Sequence, residues 1–405
     1  MTEMYGKRSE KEAWPKKRLR DIGRIYAGGT PEREDPTCWG GDIPWLTPGD
    51  ISQGEYPVTF DTPELITTAG LNRSAAVLLP PGALLVTSRA TLGARTIAGG
   101  SMTTNQGFKN VVFDANVADV HFYYHLFALL KGELERRASG TTFLEISAKD
   151  FGNIPVPVPP LREQRRIAEI LDALDADIVT LGANIAKKER VERGLVADVL
   201  KIPRRSRKFS RLDELADVSS GVTLGSEPSG ASSVELPYLR VANVQDGFID
   251  TEDMKTVHVL KSEVERLRLD SGDVLLTEGG DWDKLGRGAV WDGRIDPCVY
   301  QNHVFRVRCD VDRLIPEYFA LYVGSTPGRA YFMSIAKQTT NLATINSRQL
   351  KEMPIPVPPV EDQRKIALFV GEYRQGIALD RAQLRDMKRL RQGLMEDLLT
   401  GQVQV

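Results

Sequence analysis

His121 and His125 stand four residues apart. On a helix that spacing puts both rings on one face, which is half of what a zinc site needs. No third ligand follows nearby, so the spacing alone leaves the pair as helix surface or partial core. The other two histidines are His258 and His303. Cys38, Cys298 and Cys309 are odd in number and lack metal-ligand spacing, and they read as reduced, incidental thiols.

Asp296-Pro297-Cys298-Val299-Tyr300 resembles the Asp/Asn-Pro-Pro-aromatic motif of amino-methyltransferases only in part. The second proline is missing, the aromatic comes one place late, and no glycine-rich cofactor motif precedes it. A loop is the better reading. The chain has no G-x-x-x-x-G-K-[ST], no G-x-G-x-x-G after a strand, no H-E-x-x-H and no paired C-x-x-C. It is expected to be non-catalytic.

Two polar stretches suit a different task. Thr87-Ser88-Arg89 through Arg95 leads to Thr103-Thr104-Asn105-Gln106-Gly107-Phe108-Lys109, and every formal charge between Thr87 and Lys109 is positive. Arginine can bridge guanine O6 and N7, and Asn or Gln can bridge adenine N6 and N7. These are the side chains that reading a major groove requires. The counterparts in the second half are Thr277-Glu278-Gly279-Gly280 with Lys284 and Arg287, then Gln301, Asn302 and His303. The acidic residues there could accept from cytosine N4, although they repel phosphates. Lys337, Gln338 and Asn341 form a further candidate set beside Ser139-Gly140-Thr141-Thr142. The basic connector Arg204-Arg205-Ser206-Arg207-Lys208 could touch a phosphate backbone or be a solvated linker. Solvated surface is the alternative for all of these loops.

The elements that must position these residues occur twice. Ile154-Pro155-Val156-Pro157-Val158-Pro159-Pro160-Leu161-Arg162-Glu163-Gln164-Arg165-Arg166-Ile167-Ala168 returns as Met353-Pro354-Ile355-Pro356-Val357-Pro358-Pro359-Val360-Glu361-Asp362-Gln363-Arg364-Lys365-Ile366-Ala367. The offset is 363 − 164 = 199 residues. Alternating prolines keep the backbone extended, and acidic residues then sit in the first turn of a helix, where the dipole favours them.

Steps of four and three from Ile167 reach Leu171, Leu174, Ile178, Leu181, Ile185, Lys188, Glu192, Leu195 and Val199. The same steps from Ile366 reach Val370, Tyr373, Ile377, Asp380, Leu384, Met387, Arg391, Leu394 and Leu398. Such a seam predicts coiled-coil helices, each about 60 Å long. The order domain–helix–domain–helix predicts an antiparallel pair, the alternative being two helices that each fold onto their own domain. A helix is also expected from about Asp119 to Ala138, and another around Ile315 to Ser334.

The predicted architecture is α+β: two similar globular domains separated by two long antiparallel coiled-coil helices, with an internal pseudo-two-fold repeat. Domain 1 spans residues 1–160, the central helix 161–202, domain 2 203–359 and the C-terminal helix 360–405. Apolar content of 41%, charged content of 27% and a net charge of −2 are ordinary for a soluble protein. The first residues lack the apolar core of a signal peptide, so a cytoplasmic location is expected.

Taken together, the duplicated Pro-Val-Pro-Pro-Leu-Arg-Glu-Gln-Arg-Arg-Ile-Ala run (157–168), the paired helices, Thr103-Thr104-Asn105-Gln106 and the terminal Leu394-Met395-Glu396-Asp397-Leu398-Leu399-Thr400-Gly401 resemble a specificity subunit of a type I restriction-modification system. The resemblance covers nearly the whole chain. It implies two target-recognition domains, each reading one half of a bipartite double-stranded DNA site, and a coiled coil that sets the spacer. It also implies two methyltransferase (modification) subunits and motor–nuclease restriction subunits as partners. S-adenosylmethionine, ATP and Mg would belong to those partners, with no cofactor or metal in this chain. Gln164, Arg165, Gln363 and Arg364, at the two helix starts, are candidate partner-binding residues. The second unit departs from the first in carrying Gln301-Asn302 where the first has Asn105-Gln106, and in its partly acidic loop. The other classes left open are a nuclease or methyltransferase with an unrecognised site, and a coiled-coil scaffold that binds no DNA.

Overall fold

The structure, a computed structural model, describes residues 14–51, 57–89, 91–139, 144–200, 209–225, 230, 232–280, 286–338 and 343–403. Lys284, Asn341 and the 204–208 connector lie outside the described residues. The chain divides into two compact units, residues 1–185 with 380–405 and residues 186–379. Each unit therefore takes a globular part and a portion of each long helix.

The first unit begins with β1 (Lys16–Arg18), β2 (Gly23–Ala27), β3 (Trp39–Leu46), β4 (Val58–Thr59), β5 (Glu64–Ile66) and α1 (Thr68–Asn72). It continues through β6 (Leu84–Thr87), β7 (Arg95–Ala98), β8 (Thr103–Thr104) and β9 (Phe108–Phe113) to α2 (Val120–Leu129), α3 (Lys131–Arg137) and α4 (Ala148–Gly152). β10 (Pro155–Pro157) then feeds α5 (Leu161–Val199). Five strands form one sheet in the order β2-β9-β6-β7-β4, and three form another in the order β5-β3-β8. The uninterrupted apolar run of β6 is explained by its central place, since all four of its residues are buried. Among the described residues the proline strand β10 pairs only with β1, an edge position that suits residues without an N–H.

The second unit repeats this plan. It holds β11 (Phe209–Arg211), β12 (Ala216–Ser220), β13 (Ser233–Leu239), β14 (Lys255–Leu260), α6 (Val264–Leu267), β15 (Val274–Thr277), β16 (Gly279–Gly280) and β17 (Gly288–Val290). Then come β18 (Val299–Tyr300), β19 (Val304–Cys309), α7 (Pro316–Gly324), α8 (Thr326–Ile335), β20 (Lys337–Gln338), β21 (Ala343–Thr344), α9 (Ser347–Lys351), β22 (Pro354–Pro356) and α10 (Val360–Leu399). The sheet order β12-β19-β15-β17 answers β2-β9-β6-β7, β14-β13-β18 answers β5-β3-β8, and β11-β22 answers β1-β10.

Two predicted helices are in fact broken. The one expected over 119–138 bends at Leu130, whose ψ of 2° starts a second short helix. Its counterpart breaks at Ser325, where the hydroxyl caps α8 through Gly328 N and proline occupies the first turn.

The long helices pack along the predicted seam. In the first unit Ile167, Ala168 and Leu171 of α5 share a core with Met395, Leu398 and Leu399 of α10. In the second unit Val196 of α5 shares a core with Val370 and Ile366 of α10. Arg391 pairs with Asp175 through both its Nε and its Nη2, the latter at 2.9 Å, and Arg374 Nε pairs with Glu192 at 2.7 Å. Seventeen residues up α5 (175 to 192) thus match seventeen down α10 (391 to 374), which is an antiparallel register.

The histidine pair finds its partner on α5. Asp172 lies 2.8 Å from His121 Nδ1 and 2.7 Å from the buried His125 Nε2. The hydrogen bond to Asp172 raises the His121 pKa against the opposing effect of burial. Burial pushes the Asp172 carboxyl up, but the hydrogen bonds and charges of the two histidines outweigh it and hold the group well below the usual carboxylate range. A raised imidazole stabilises the fold fully below its ordinary 6.5 and loses that contribution as pH climbs through the raised value; a lowered carboxylate contributes fully above its ordinary 3.8. The melting-temperature gap between the wild type and His121→Gln is therefore widest at about pH 5 to 6 and narrows toward about pH 9. A gap that stays level or widens over that range contradicts the pairing.

Candidate nucleic-acid interface

In the first unit, four backbone hydrogen bonds gather the ends of β6 and β8 into one polar edge. Asn105 N donates to Leu46 O at 2.9 Å, Ser88 N to Gly107 O at 2.7 Å, Ile146 N to Ser88 O at 3.1 Å, and Gly29 N to Thr104 O at 2.9 Å. The chain approaches itself closely here. A methyl group on Gly28 would lie 1.9 Å from Asn105 O, so that position admits no side chain, and one on Gly107 would lie 2.9 Å from Asn105 Oδ1 and displace it. Asn105 Oδ1 accepts from Gly107 N at 2.8 Å, which fixes the tight turn. Gln106 is exposed, while Asn105 and Arg89 are half-buried. Among the described residues Arg89 makes no ion pair, and its backbone bridges to that of Glu145.

Several predicted contact residues lie beneath this edge instead. Thr87, Ser88, Thr103, Thr104 and Lys109 are buried, and their side chains are correspondingly committed inward. Thr87 Oγ1 donates to Ala94 O, Thr103 Oγ1 donates to Pro44 O, and Thr104 Oγ1 accepts from Asn110 Nδ2. Lys109 Nζ donates to Ser88 Oγ at 3.1 Å and pairs with Glu145 at 3.2 Å. Arg95 turns toward α2, where Nε donates to Tyr124 O and the guanidinium lies 4.7 Å over the Tyr124 ring. These six residues correct the predicted set, because they support the edge rather than face out from it.

Residues that the sequence did not single out complete the edge. Thr30 Oγ1 donates to Gln106 Oε1, which orients the Gln106 amide. Close by in sequence, the Arg33 guanidinium lies 4.1 Å over Trp39 and 4.7 Å over Trp45, and it grips Glu64 with two hydrogen bonds. Trp45 Nε1 donates to Gly29 O at 2.9 Å, tying this stack to the glycine turn. The Gly28-Gly29-Thr30 stretch beside two tryptophans was the available signal.

The second unit rebuilds the same edge with other side chains. Gln301 N donates to Leu239 O at 2.9 Å, Glu278 N to His303 O at 3.0 Å, Ile345 N to Glu278 O at 2.9 Å, and Val222 N to Tyr300 O at 2.7 Å. Those four bonds equate Gln301 with Asn105, Glu278 with Ser88 and His303 with Gly107. His303 is exposed, Gln301 and Asn302 are half-buried, and Arg287 Nη1 donates to Gln245 Oε1 at 3.2 Å. Thr277 is buried and joins the corrections. Lys337 and Gln338 form β20, which pairs with β21 beside this edge.

The helix starts also require a correction. Gln164 and Gln363 are fully buried. Gln164 Oε1 accepts from Asp119 N at 2.8 Å, and its Nε2 donates to Val117 O at 2.9 Å and Pro159 O at 2.8 Å. Gln363 makes the same three bonds with Ile315 N, Arg313 O and Pro358 O, each at 2.9 Å. Both amides clamp the domain to its helix and are not open to a partner. Arg165 and Arg364 beside them remain exposed.

Comparison with known proteins gives a consistent result. Residues 11–193 and 206–387 each match the Type I restriction modification DNA specificity domain, Methylase_S. The MjaIX specificity subunit of Methanocaldococcus jannaschii is 24% identical, covering 97% of this chain and 94% of its own. The EcoKI specificity subunit of Escherichia coli K12 is 24% identical over 89% of this chain and 82% of its own. Among solved structures, the type I restriction-modification S subunit from M. genitalium superposes with a TM-score of 0.61 at 15% identity, covering 96% of this chain and 97% of that one. With the domain matched twice and spanning most of its length, the chain belongs to the family of type I restriction-modification DNA specificity subunits.

Proposed function

We propose that each unit reads one half of a bipartite DNA site in a major groove, and that the helix pair sets the spacer between the halves. As a specificity subunit the chain is non-catalytic. Methylation and cleavage fall to two modification subunits and the restriction subunits that it recruits, and these hold the S-adenosylmethionine, ATP and Mg. One observation carries the reading: the same four backbone bonds present two different polar sets, Arg89, Asn105 and Gln106 in one unit and Gln301, Asn302 and His303 in the other. A shared scaffold with exchanged tips is what two readers of different sequences need. The exposed Arg165 and Arg364 are the members of the predicted partner set left available for the other subunits. Among the described residues no helix is long and apolar enough to cross a membrane. Work on DNA places the chain in the cytoplasm.

Arg89→Ala or Gln106→Ala, assembled with the modification subunits, relaxes base preference in one half-site by about tenfold and leaves the other half intact. Sequencing of methylated adenines reads this directly. Equal weakening on all sequences would mean phosphate contact and would reject base reading by these residues.

A further inference from the structure

The second unit carries a side-chain pair with no equivalent in the first. At the matched positions the first unit has Ser88, whose hydroxyl Lys109 occupies, and Gly107, which has no side chain. The second unit has Glu278 and His303, with His303 Nδ1 2.6 Å from Glu278 Oε2. His303 is 58% exposed and its carboxylate partner 30%. The ring thus projects from the edge while the acid sits lower and holds it.

We propose that Glu278 and His303 form a specificity-determining pair that reads one base pair of the half-site bound by the second unit. This rests on the two-reader function above. A carboxylate that accepts from Nδ1–H fixes the tautomer and turns Nε2 outward. A neutral ring then offers an acceptor to adenine N6 or cytosine N4, and a cationic ring offers a donor to guanine O6 or N7. His303 also removes the difficulty of an acidic residue on a DNA-facing edge, because the Glu278 charge is directed into the ring and away from phosphates. Glu278 is the positioning residue and acts through His303.

The test selects bound sequences from a random duplex library with the full chain assembled with its modification subunits. His303→Ala lowers preference at one position of one half-site by about tenfold and leaves the other half unchanged. Glu278→Ala relaxes the same position, and the double variant H303A/E278A matches H303A alone, since the acid has nothing left to position. Unchanged preference in all three variants, or uniform weakening across both halves, would overturn the pair as a reader. If the wild type itself selects no two-part sequence, the two-reader function fails and the pair fails with it. A two-part wild-type site with unaltered variants removes only the pair.

Discussion

Gln164→Ala lowers the melting temperature of the first unit by about 10 °C, and Gln363→Ala does the same to the second. Each amide is fully buried and serves three backbone groups at the junction, most of them part-buried. Removing it orphans one N–H and two carbonyls at the point where a globular domain meets a long helix. A buried unsatisfied group costs roughly 1 to 3 kcal/mol, and the three together cost about 3 to 5 kcal/mol after local relaxation. For a unit near 200 residues, one kcal/mol moves the midpoint by about 2 to 4 °C. Gln164→Glu does not rescue, because a carboxylate can accept from Asp119 N–H but cannot donate to the carbonyls of Val117 and Pro159. Calorimetry of the two alanine variants and the glutamate variant checks this. A shift of only a degree or two would mean that the amides are dispensable at the junction.

The same glutamines mark where the sequence was readable and where it was not. The stiff proline run and the helix after it were legible because both depend on local rules: fixed proline φ, acidic first turn, apolar residues every three or four. None of the seam positions described, from Ile167 to Leu195 and from Ile366 to Leu398, is exposed. The role of Gln164 was not legible, since its partners Asp119 and Val117 are 45 and 47 residues away. Asp172 was hidden from the histidine pair in the same way, 47 residues from His125 on another helix. Polar residues near a predicted reading loop could not be sorted into face and floor without the fold. Lys109 counts among the candidate DNA-binding residues by sequence, yet in the fold its ammonium is held by Glu145 and Ser88. The break at Ser325 did carry a signal, Ser-Thr-Pro, whereas the bend at Leu130 carried none.

Lengthening both long helices by one heptad is expected to change the DNA spacer and nothing else. The insertions go between Ile185 and Ala186 and between Leu379 and Asp380, where the compact units divide. Seven residues are two seam steps, so apolar positions beyond each insertion stay in phase with their partners. The matched pairs Asp175–Arg391 and Glu192–Arg374 then re-form on either side. An insertion in one helix alone shifts one seam against the other and costs stability. The added length is about 10 Å, close to three base pairs of rise. Three base pairs also turn the duplex by about 100°, which the helices must absorb, so the spacer grows by roughly one to three base pairs. Methylated-adenine maps of DNA exposed to complexes of the wild type and of the doubly extended chain decide the matter. Identical half-site bases with a longer gap are the predicted result; an unchanged gap, or altered half-site bases, would contradict two readers held apart by a helical ruler.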